Sequence, residues 1–193
     1  MSTKTKRAAL VTGAASGIGR AAALALARAG YDVAINYSRS EKEAKAVAEE
    51  AGRSGVRTLL CRCDVADEAL VRAMLETVGD QFGRLDVLIN NAGTTAAWKP
   101  KDLESLSLED WDRVFAVNVR GLFQVTRAAV PLLRVSKGCI VNTASIVGLR
   151  PGPQPLPCSP HRRAAAAPAA GRLCSPYSRC SLWMRAASAR RLA

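Results

Sequence analysis

Three closely spaced glycines near the amino terminus are the first residues whose type and spacing could do chemistry. Gly13, Gly17 and Gly19 lie between an apolar run of strand length, Ala8 to Val11, and a helical apolar pattern from Ile18 to Ala29. A strand that enters a glycine-rich turn before a helix makes an anion site, because the bare backbone admits a pyrophosphate and the first helical N–H groups point at it. The pattern predicts a dinucleotide-binding turn; the alternative is a tight turn that needs glycine for its backbone conformation alone.

Small, polar or charged residues follow the four later apolar runs as well. In chain order they are Asn36-Tyr37-Ser38-Arg39, Asp64-Val65, Asn90-Asn91-Ala92-Gly93 and Ala144-Ser145. The carboxyl ends of parallel strands share one edge of an open sheet, and ligands bind at that edge. We therefore expect these residues and the glycine turn to line one continuous crevice.

Strand and helix patterns alternate along the chain, as a parallel sheet with crossover helices requires. After the first unit, strands are predicted at Asp32 to Asn36, Thr58 to Arg62, Val87 to Asn90 and Cys139 to Thr143. Helices are predicted from Glu41 to Ala51, from a cap at Asp67, and from a capping pair, Ser107 and Asp110, through Val125. The predicted fold class is α/β, a Rossmann-type doubly wound parallel sheet in the strand order 3-2-1-4-5 with helices on both faces.

Five groups of residues, taken together, resemble the short-chain dehydrogenase/reductase family. They are Thr12-Gly13-Ala14-Ala15-Ser16-Gly17-Ile18-Gly19, Asp64-Val65, Asn90-Asn91-Ala92-Gly93, Asn118 and Ser145, in the family's order over residues 7 to about 157. The chain is most similar to the branch of 3-oxoacyl-(acyl-carrier-protein) reductases and of sugar or alcohol dehydrogenases. The resemblance implies an NAD(P)(H)-dependent oxidoreductase that reduces a ketone or 3-oxoacyl group or oxidises a secondary alcohol.

The resemblance also implies how the crevice holds its cofactor. The residues of the pyrophosphate turn would be Thr12, Gly13, Ser16, Gly17, Ile18 and Gly19. Asp64 resembles the residue that bonds the adenine amino group, with the Val65 backbone beside it, although a turn or cap role would also account for Asp64. The adenine and ribose side of the crevice would be supported by Asn91, Ala92 and Gly93.

The residues after the second strand bear on the choice between the two nicotinamide cofactors. A carboxylate there accepts a hydrogen bond from the 2′-hydroxyl of NAD(H), but this segment contains none. Asn36 stands in its place and Arg39 follows, and an arginine suits a 2′-phosphate by its charge and fork geometry. The sequence therefore favours NADP(H) over NAD(H); the alternative is that Arg39 is a solvated loop cation.

Two polar residues are the candidates for catalysis. Asn118 shares the apolar stripe of its helix with Trp111, Val114 and Phe115, and a buried amide there must find partners. Those partners are either neighbouring backbone groups or, as the resemblance implies, a water in a proton relay. Ser145 resembles the hydroxyl that holds and polarises the substrate carbonyl, and an ordinary turn serine is its alternative.

The acid/base pair of the family is absent at its expected spacing. Family members have a tyrosine thirteen residues after the serine and a lysine four residues later, but here these positions are Cys158 and Arg162. A cysteine side chain is too short to reach the place of the phenol. Arg162 stays charged and could hold the ribose, but with a different shape. The role of proton donor is therefore vacant in this sequence.

Residues 158–193 differ in composition from residues 1–157. They hold seven arginines and three prolines but no Val, Ile, Phe, Asp, Glu or Lys, and the later strands of the family are missing or aberrant. We interpret residues 1–157 as a truncated Rossmann-type dinucleotide-binding domain, and 158–193 as a tail that is disordered or irregular. A frameshift near codon 158 would explain the change; a divergent basic tail is the alternative.

Charge and cysteine usage restrict the partners of the protein. The net charge is +12, of which the tail supplies +7, and the tail lacks interleaved aromatic residues and any nucleic-acid motif. No apolar run reaches membrane-spanning length, and the six cysteines show no metal-ligand spacing. We therefore expect a small-molecule carbonyl or alcohol substrate, no nucleic acid, no membrane and no metal, in the cytoplasm. Intact family members are usually homo-oligomers, but the expected dimerisation helix is not recognisable here.

The interpretation of the tail predicts where proteases cut. We expect trypsin to cleave after Arg162 or Arg163 well before it cleaves residues 7–145, because the tail has too few large apolar residues to offset chain entropy. Limited proteolysis with mass spectrometry of the fragments measures the order of cleavage. Protection of the tail equal to that of the front domain would contradict the interpretation.

Overall fold

The computed structural model describes residues 6–96 and 105–145. The strands are β1 (Ala8–Val11), β2 (Asp32–Tyr37), β3 (Thr58–Arg62), β4 (Val87–Asn90) and β5 (Cys139–Asn142). The helices are α1 (Gly17–Arg28), α2 (Glu41–Gly52), α3 (Glu68–Phe82), α4 (Leu108–Phe115) and α5 (Leu122–Ser136), with a π-helical segment, Ala116–Gly121, between α4 and α5.

The five strands form one parallel sheet in the order β3-β2-β1-β4-β5. The central strand β1 pairs through Leu10 with Ala34 of β2 on one side and with Leu88 of β4 on the other. This order confirms the predicted order 3-2-1-4-5, and the α/β fold class is confirmed with it. The predicted strand bounds are wrong by one residue at the ends of β2 and β5, where pairing stops at Tyr37 and Asn142.

Two apolar clusters cover the two faces of the sheet. One places Leu10 and Leu88 against residues of α3 and α5, and the other places Val11 and Val33 against residues of α1 and α2. All four residues of β1 are 0% exposed, because helices cover both faces of the central strand. A strand buried in this way must read as a continuous apolar run, which is how β1 appears in the sequence.

Side chains cap two helices at the predicted places. The Asp67 carboxylate accepts a hydrogen bond from Leu70 N at 3.1 Å, and the Ser107 hydroxyl oxygen accepts one from Asp110 N at 3.0 Å. Each bond satisfies a backbone N–H that has no partner in the first helical turn. These cap predictions are confirmed. They could be made from the sequence because a cap depends on residues only three positions apart.

The prediction of one uninterrupted helix from Ser107 through Val125 is wrong in its middle. There the chain turns as a π-helix over Ala116–Gly121 and resumes as α5. At this point Gly121 packs so closely that a Cβ on it would lie 2.9 Å from Val65 O, and Gln124 Nε2 donates to the same oxygen at 2.9 Å. The wider turn is thus associated with a contact to a loop distant in sequence, which apolar periodicity does not reveal.

Within the described residues, none of the helices combines the length and apolar character needed to cross a membrane. The predicted tail 158–193, the strands expected after β5, and the positions Cys158 and Arg162 lie outside the described residues.

The burial of β1 predicts the effect of a core truncation. Leu10→Ala should lower the free energy of unfolding by about 2–5 kcal/mol, because it removes a fully buried side chain from the cluster with α3 and α5 and leaves a cavity. Leu108→Ala is the matched control, since Leu108 is 83% exposed and should change stability by only about 0.5 kcal/mol. Urea denaturation of both variants measures the difference. Equal effects would contradict the described core.

Candidate functional site

The glycine turn lies between β1 and α1 and depends on close backbone contacts. A Cβ on Gly19 would overlap the carbonyl oxygen of Gly13 and would lie 2.5 Å from Asn91 Nδ2. Gly17 has the opposite surroundings, since nothing lies within 4 Å of a Cβ placed on it, and its φ is +54°. Gly19 is therefore needed for packing inside the turn, and Gly17 for a left-handed backbone at an open surface.

The amino terminus of α1 is left open toward that surface. Ser16 occupies the N-cap position with extended backbone angles, but its side chain makes no capping hydrogen bond. The first turn of α1 also carries no acidic residue. The first backbone N–H groups and the positive end of the helix dipole are thus available to an anion. This arrangement fits the pyrophosphate of a dinucleotide.

Thr12 and Asn91 fasten the glycine turn to the end of β4. The Thr12 hydroxyl oxygen accepts hydrogen bonds from Asn91 N at 2.9 Å and Ala92 N at 3.0 Å. In return, Asn91 Nδ2 donates to the carbonyl oxygens of Thr12 at 3.0 Å and Gly13 at 3.1 Å. Two segments nearly eighty residues apart in the sequence therefore share one hydrogen-bonded unit.

Asn36 fastens the same turn to β3. It is 1% exposed, and its Oδ1 accepts from Gly13 N at 3.2 Å while its Nδ2 donates to the carbonyl oxygens of Cys61 at 3.2 Å and Cys63 at 3.0 Å. Asn36 stands where the sequence leads us to expect a ribose-binding carboxylate, but β2 continues to Tyr37 and the Asn36 amide is hydrogen-bonded to backbone groups. The available signal was an amide inside an apolar strand, which must find partners.

One cleft at the carboxyl edge of the sheet collects half of the predicted cofactor residues, namely Gly13, Arg39, Asp64, Val65, Ala92 and Gly93. The cleft joins the ends of β1, β2, β3 and β4, but its lining does not include Ser16, Gly17, Ile18, Gly19 or Ser145. Arg113 also lines the cleft and was not predicted, because it lies on α4 and no spacing relates it to β3.

Asp64 is held at the wall of this cleft by two hydrogen bonds. Its Oδ1 accepts from Ala66 N at 3.0 Å, and its Oδ2 accepts from Arg113 Nη2 at 2.9 Å. Partial burial alone would raise the pKa of Asp64, but the bonds from Ala66 and Arg113 and the charges of Arg113 and Arg39 outweigh it and lower the pKa. Asp64 is therefore an ionised carboxylate at neutral pH that also forms a local turn contact.

The Cys63 side chain lines the cleft beside Asp64 as an uncharged group. The residue is 3% exposed, and burial, followed by the charges of Asp64 and Asp67, raises the pKa of its thiol to about 12. A protonated, buried thiol is a poor nucleophile and a poor metal ligand. Within residues 6–96 and 105–145, no group of three His, Cys, Asp or Glu side chains is placed to hold a metal ion.

Asn118 lies in the π-helical segment and is 7% exposed. Its Oδ1 accepts from Thr94 N and its Nδ2 donates to Thr94 O, each at 2.8 Å. Of the two kinds of partner considered from the sequence, backbone groups are those observed. Asn118 thereby holds the segment that follows β4, and a Cβ on Gly93 would lie 3.3 Å from its Oδ1.

Ser145 lies beyond the carboxyl end of β5, on the same edge of the sheet as the glycine turn. The preceding segment is joined to the end of β4, because Thr143 N donates to Asn90 O at 2.9 Å and Thr143 Oγ1 donates to Asn91 Oδ1 at 3.4 Å. Asn91 in turn contacts Gly13, so a continuous set of contacts leads from the glycine turn toward Ser145. Ser145 is half-buried.

Comparison with known proteins agrees with this geometry. A family model described as short chain dehydrogenase matches residues 7–157. Among curated proteins, the 3-oxoacyl-(acyl-carrier-protein) reductase of Staphylococcus aureus is 44% identical over 146 residues, which are 75% of this chain and 58% of that protein. This chain therefore spans less than two thirds of the length of that relative.

Solved structures of short-chain dehydrogenases are also similar to this chain. A short-chain dehydrogenase/reductase from Burkholderia xenovorans superposes with a TM-score of 0.80 at 34% identity, covering 84% of this chain and 68% of the other. A short chain dehydrogenase from Burkholderia cenocepacia in complex with NADP has a TM-score of 0.76 at 37% identity, covering 82% and 63% respectively.

The burial and hydrogen bonds of Asn36 predict that its truncation lowers stability more than truncation of an exposed residue does. Asn36→Ala should lower the free energy of unfolding by about 1–3 kcal/mol, because it leaves Gly13 N and the carbonyl groups of Cys61 and Cys63 without their side-chain partner. Ser54→Ala, in an exposed turn, should change it by no more than about 0.5 kcal/mol. Chemical denaturation compares the two, and an equally small effect for both would contradict the bracing role.

Proposed function

The chain belongs to the short-chain dehydrogenase family, and from that premise we propose that it is an oxidoreductase that binds NADP(H) along the carboxyl edge of its sheet. The observation that carries the proposal is the open amino terminus of α1 beside Gly17, where backbone N–H groups meet no side-chain cap. Of the groups in a dinucleotide, the pyrophosphate is the one that binds at the amino terminus of a helix.

Under this proposal, different residues at the carboxyl edge of the sheet hold different parts of the cofactor. Ile18 and the three glycines present backbone to the pyrophosphate, while Thr12 and Ser16 shape the turn. Asp64 faces the adenine amino group with the Val65 backbone beside it. The ribose side is supported by Asn91, Ala92 and Gly93. The contacts of Thr12 and Asn91 support this assignment, since they order the turn before any ligand arrives.

The proposed preference for NADP(H) rests on Arg39. It is exposed, lines the cleft, and forms no ion pair with any residue among 6–96 and 105–145. An uncommitted guanidinium can pair with a 2′-phosphate in a bidentate manner. The NADP complex of the Burkholderia cenocepacia protein supports the same choice.

The proposed reaction is reduction of a ketone or 3-oxoacyl group, or oxidation of a secondary alcohol. When bound, the cofactor supplies or accepts the hydride. Ser145 would donate a hydrogen bond to the substrate oxygen, which stabilises negative charge that develops there. Asn118 would contribute to proton relay through a water while it holds Thr94 in place. The named activity of the Staphylococcus aureus relative supports a 3-oxoacyl substrate.

The proposal also covers the partners, the location and the domain division of the protein. The substrate is a small molecule with a carbonyl or alcohol group, and neither nucleic acid nor a membrane takes part. We place the protein in the cytoplasm, because its cysteine usage is typical of a reducing compartment. Intact family members are usually homo-oligomers, but the expected dimerisation helix is not recognisable in this chain. The division into a dinucleotide-binding domain, 1–157, and a separate tail, 158–193, is supported by the family match, which covers residues 7–157.

A glycine substitution tests cofactor binding. We expect NADPH to bind the protein, and Gly19→Ala to weaken binding by more than about tenfold, because the new Cβ would displace the Gly13 carbonyl and deform the turn. Gly52→Ala is the matched control, since a Cβ there meets nothing within 4 Å. Fluorescence titration with NADPH measures both. Unaltered binding by Gly19→Ala would contradict the assignment of the pyrophosphate site.

The vacant acid/base positions predict weak catalysis even where the cofactor binds. We expect no more than trace NADPH oxidation with 3-oxoacyl or ketone substrates, because a missing positioned acid costs about 10²–10⁴-fold in rate. A version with Cys158→Tyr and Arg162→Lys, followed by a family-like continuation, should restore turnover. Both proteins are assayed side by side for NADPH consumption. Robust turnover by the chain as it stands would contradict the vacancy and the frameshift hypothesis with it.

A further inference from the structure

Asp64 lines the cleft with two arginines, of which only Arg113 is paired with it. Arg113 Nη2 is 2.9 Å from Asp64 Oδ2, and the two side chains are 38% and 33% exposed. Arg39 lines the same cleft, and its charge also stabilises the ionised form of Asp64. Among the described residues, the Arg39 guanidinium has no ion pair or side-chain hydrogen bond, whereas that of Arg113 is paired.

The Arg113–Asp64 pair joins α4 to the loop after β3. Asp64 Oδ1 accepts from Ala66 N, so the carboxylate is oriented by its own loop. Arg113 projects from α4 and reaches this carboxylate with Nη2.

The charges at this end of the cleft decide what Arg39 can bind. Asp64 carries one negative charge, and Arg39 and Arg113 carry one positive charge each. With Arg113 in place, the Asp64 carboxylate is paired, and Arg39 forms no ion pair among the described residues, although Glu109, Asp110 and Asp112 line a neighbouring pocket with it. Without Arg113, the Asp64 carboxylate would lose its ion-pair partner and would attract Arg39 more strongly.

We propose that Arg113 is a positioning residue for cofactor selectivity: by occupying Asp64, it leaves Arg39 available for the 2′-phosphate of NADP(H). This inference rests on the proposed function, in which the cleft holds a dinucleotide with its adenosine end beside Arg39. A phosphate monoester carries close to two negative charges at neutral pH, so its binding responds strongly to one guanidinium that has no carboxylate partner. NADH lacks this group, so its binding depends little on Arg113.

The alternative is that the pair only holds α4 against the loop after β3. A purely structural pair would affect NADPH and NADH to the same extent when it is removed, and would lower the stability of the fold. The proposed role instead changes the ratio of the two affinities. This ratio is therefore the readout that separates the two roles.

The experiment measures dissociation constants of NADPH and NADH for the full chain and its variants by titration calorimetry. Arg113→Gln should weaken NADPH binding by about tenfold and alter NADH binding by less than about twofold. Arg134→Gln is the control; Arg134 is an exposed arginine near the end of α5, at the amino edge of the sheet, so its loss removes the same charge far from the cleft.

Two combined variants test the route through Asp64 and Arg39. Asp64→Asn in the Arg113→Gln background should restore the preference for NADPH, because the Asp64 carboxylate no longer attracts Arg39. Arg39→Ala should itself abolish the preference, and adding Arg113→Gln to it should change the ratio no further, since both act through the same guanidinium.

The outcomes are distinct. An unchanged NADPH-to-NADH ratio in Arg113→Gln, equal weakening of both ligands, or failure of Asp64→Asn to restore the ratio would overturn the role of Arg113 and leave the proposed function standing. Absence of dinucleotide binding by the unaltered protein would overturn the proposed function and this inference together.

Discussion

The candidate site depends on one close approach of backbone to backbone, that of Gly19 to the carbonyl group of Gly13. No side chain fits between them, and Asn91 Nδ2 occupies the remaining space. This contact places the first turn of α1 directly after β1, with its N–H groups toward the cleft. The anion-binding geometry proposed for this edge follows from that placement, because a helix dipole acts only on groups near its first turn.

Asparagine side chains hold the loops of this edge in position. Asn36 joins the glycine turn to β3, Asn91 joins it to the end of β4, and Asn118 joins the segment after β4 to the π-helical segment. Loops carry backbone groups that no sheet ladder satisfies, and these side chains satisfy several of them. The edge is therefore ordered by the protein itself, which limits the entropy cost of ligand binding.

Charged side chains gather at the end of the cleft that contains Arg39. The buried Cys63 thiol is neutral there, and the charged residues of the cleft lining are Asp64, Arg39 and Arg113. Arg113 pairs with Asp64, and the charge of Arg39 remains directed to the cleft. The cleft is lined largely by polar groups, and among them Arg39 is a cation without an ion pair in the described residues, which is the basis of the proposed discrimination between ligands with and without a phosphate.

Local patterns in the sequence were sufficient for the strand order, the glycine turn and the caps at Asp67 and Ser107, because each depends on neighbouring residues or on the alternation of strands and helices. The hydrogen bonds from the Asn36 side chain to backbone carbonyl groups at the end of β3 were not predicted, since they depend on where β2 ends and on how β3 packs beside it. The π-helical segment and the Arg113–Asp64 pair were also missed. Both arise where α4 and α5 meet the loop after β3, about fifty residues earlier in the chain, and only packing of the helices on the sheet brings those groups within hydrogen-bonding distance.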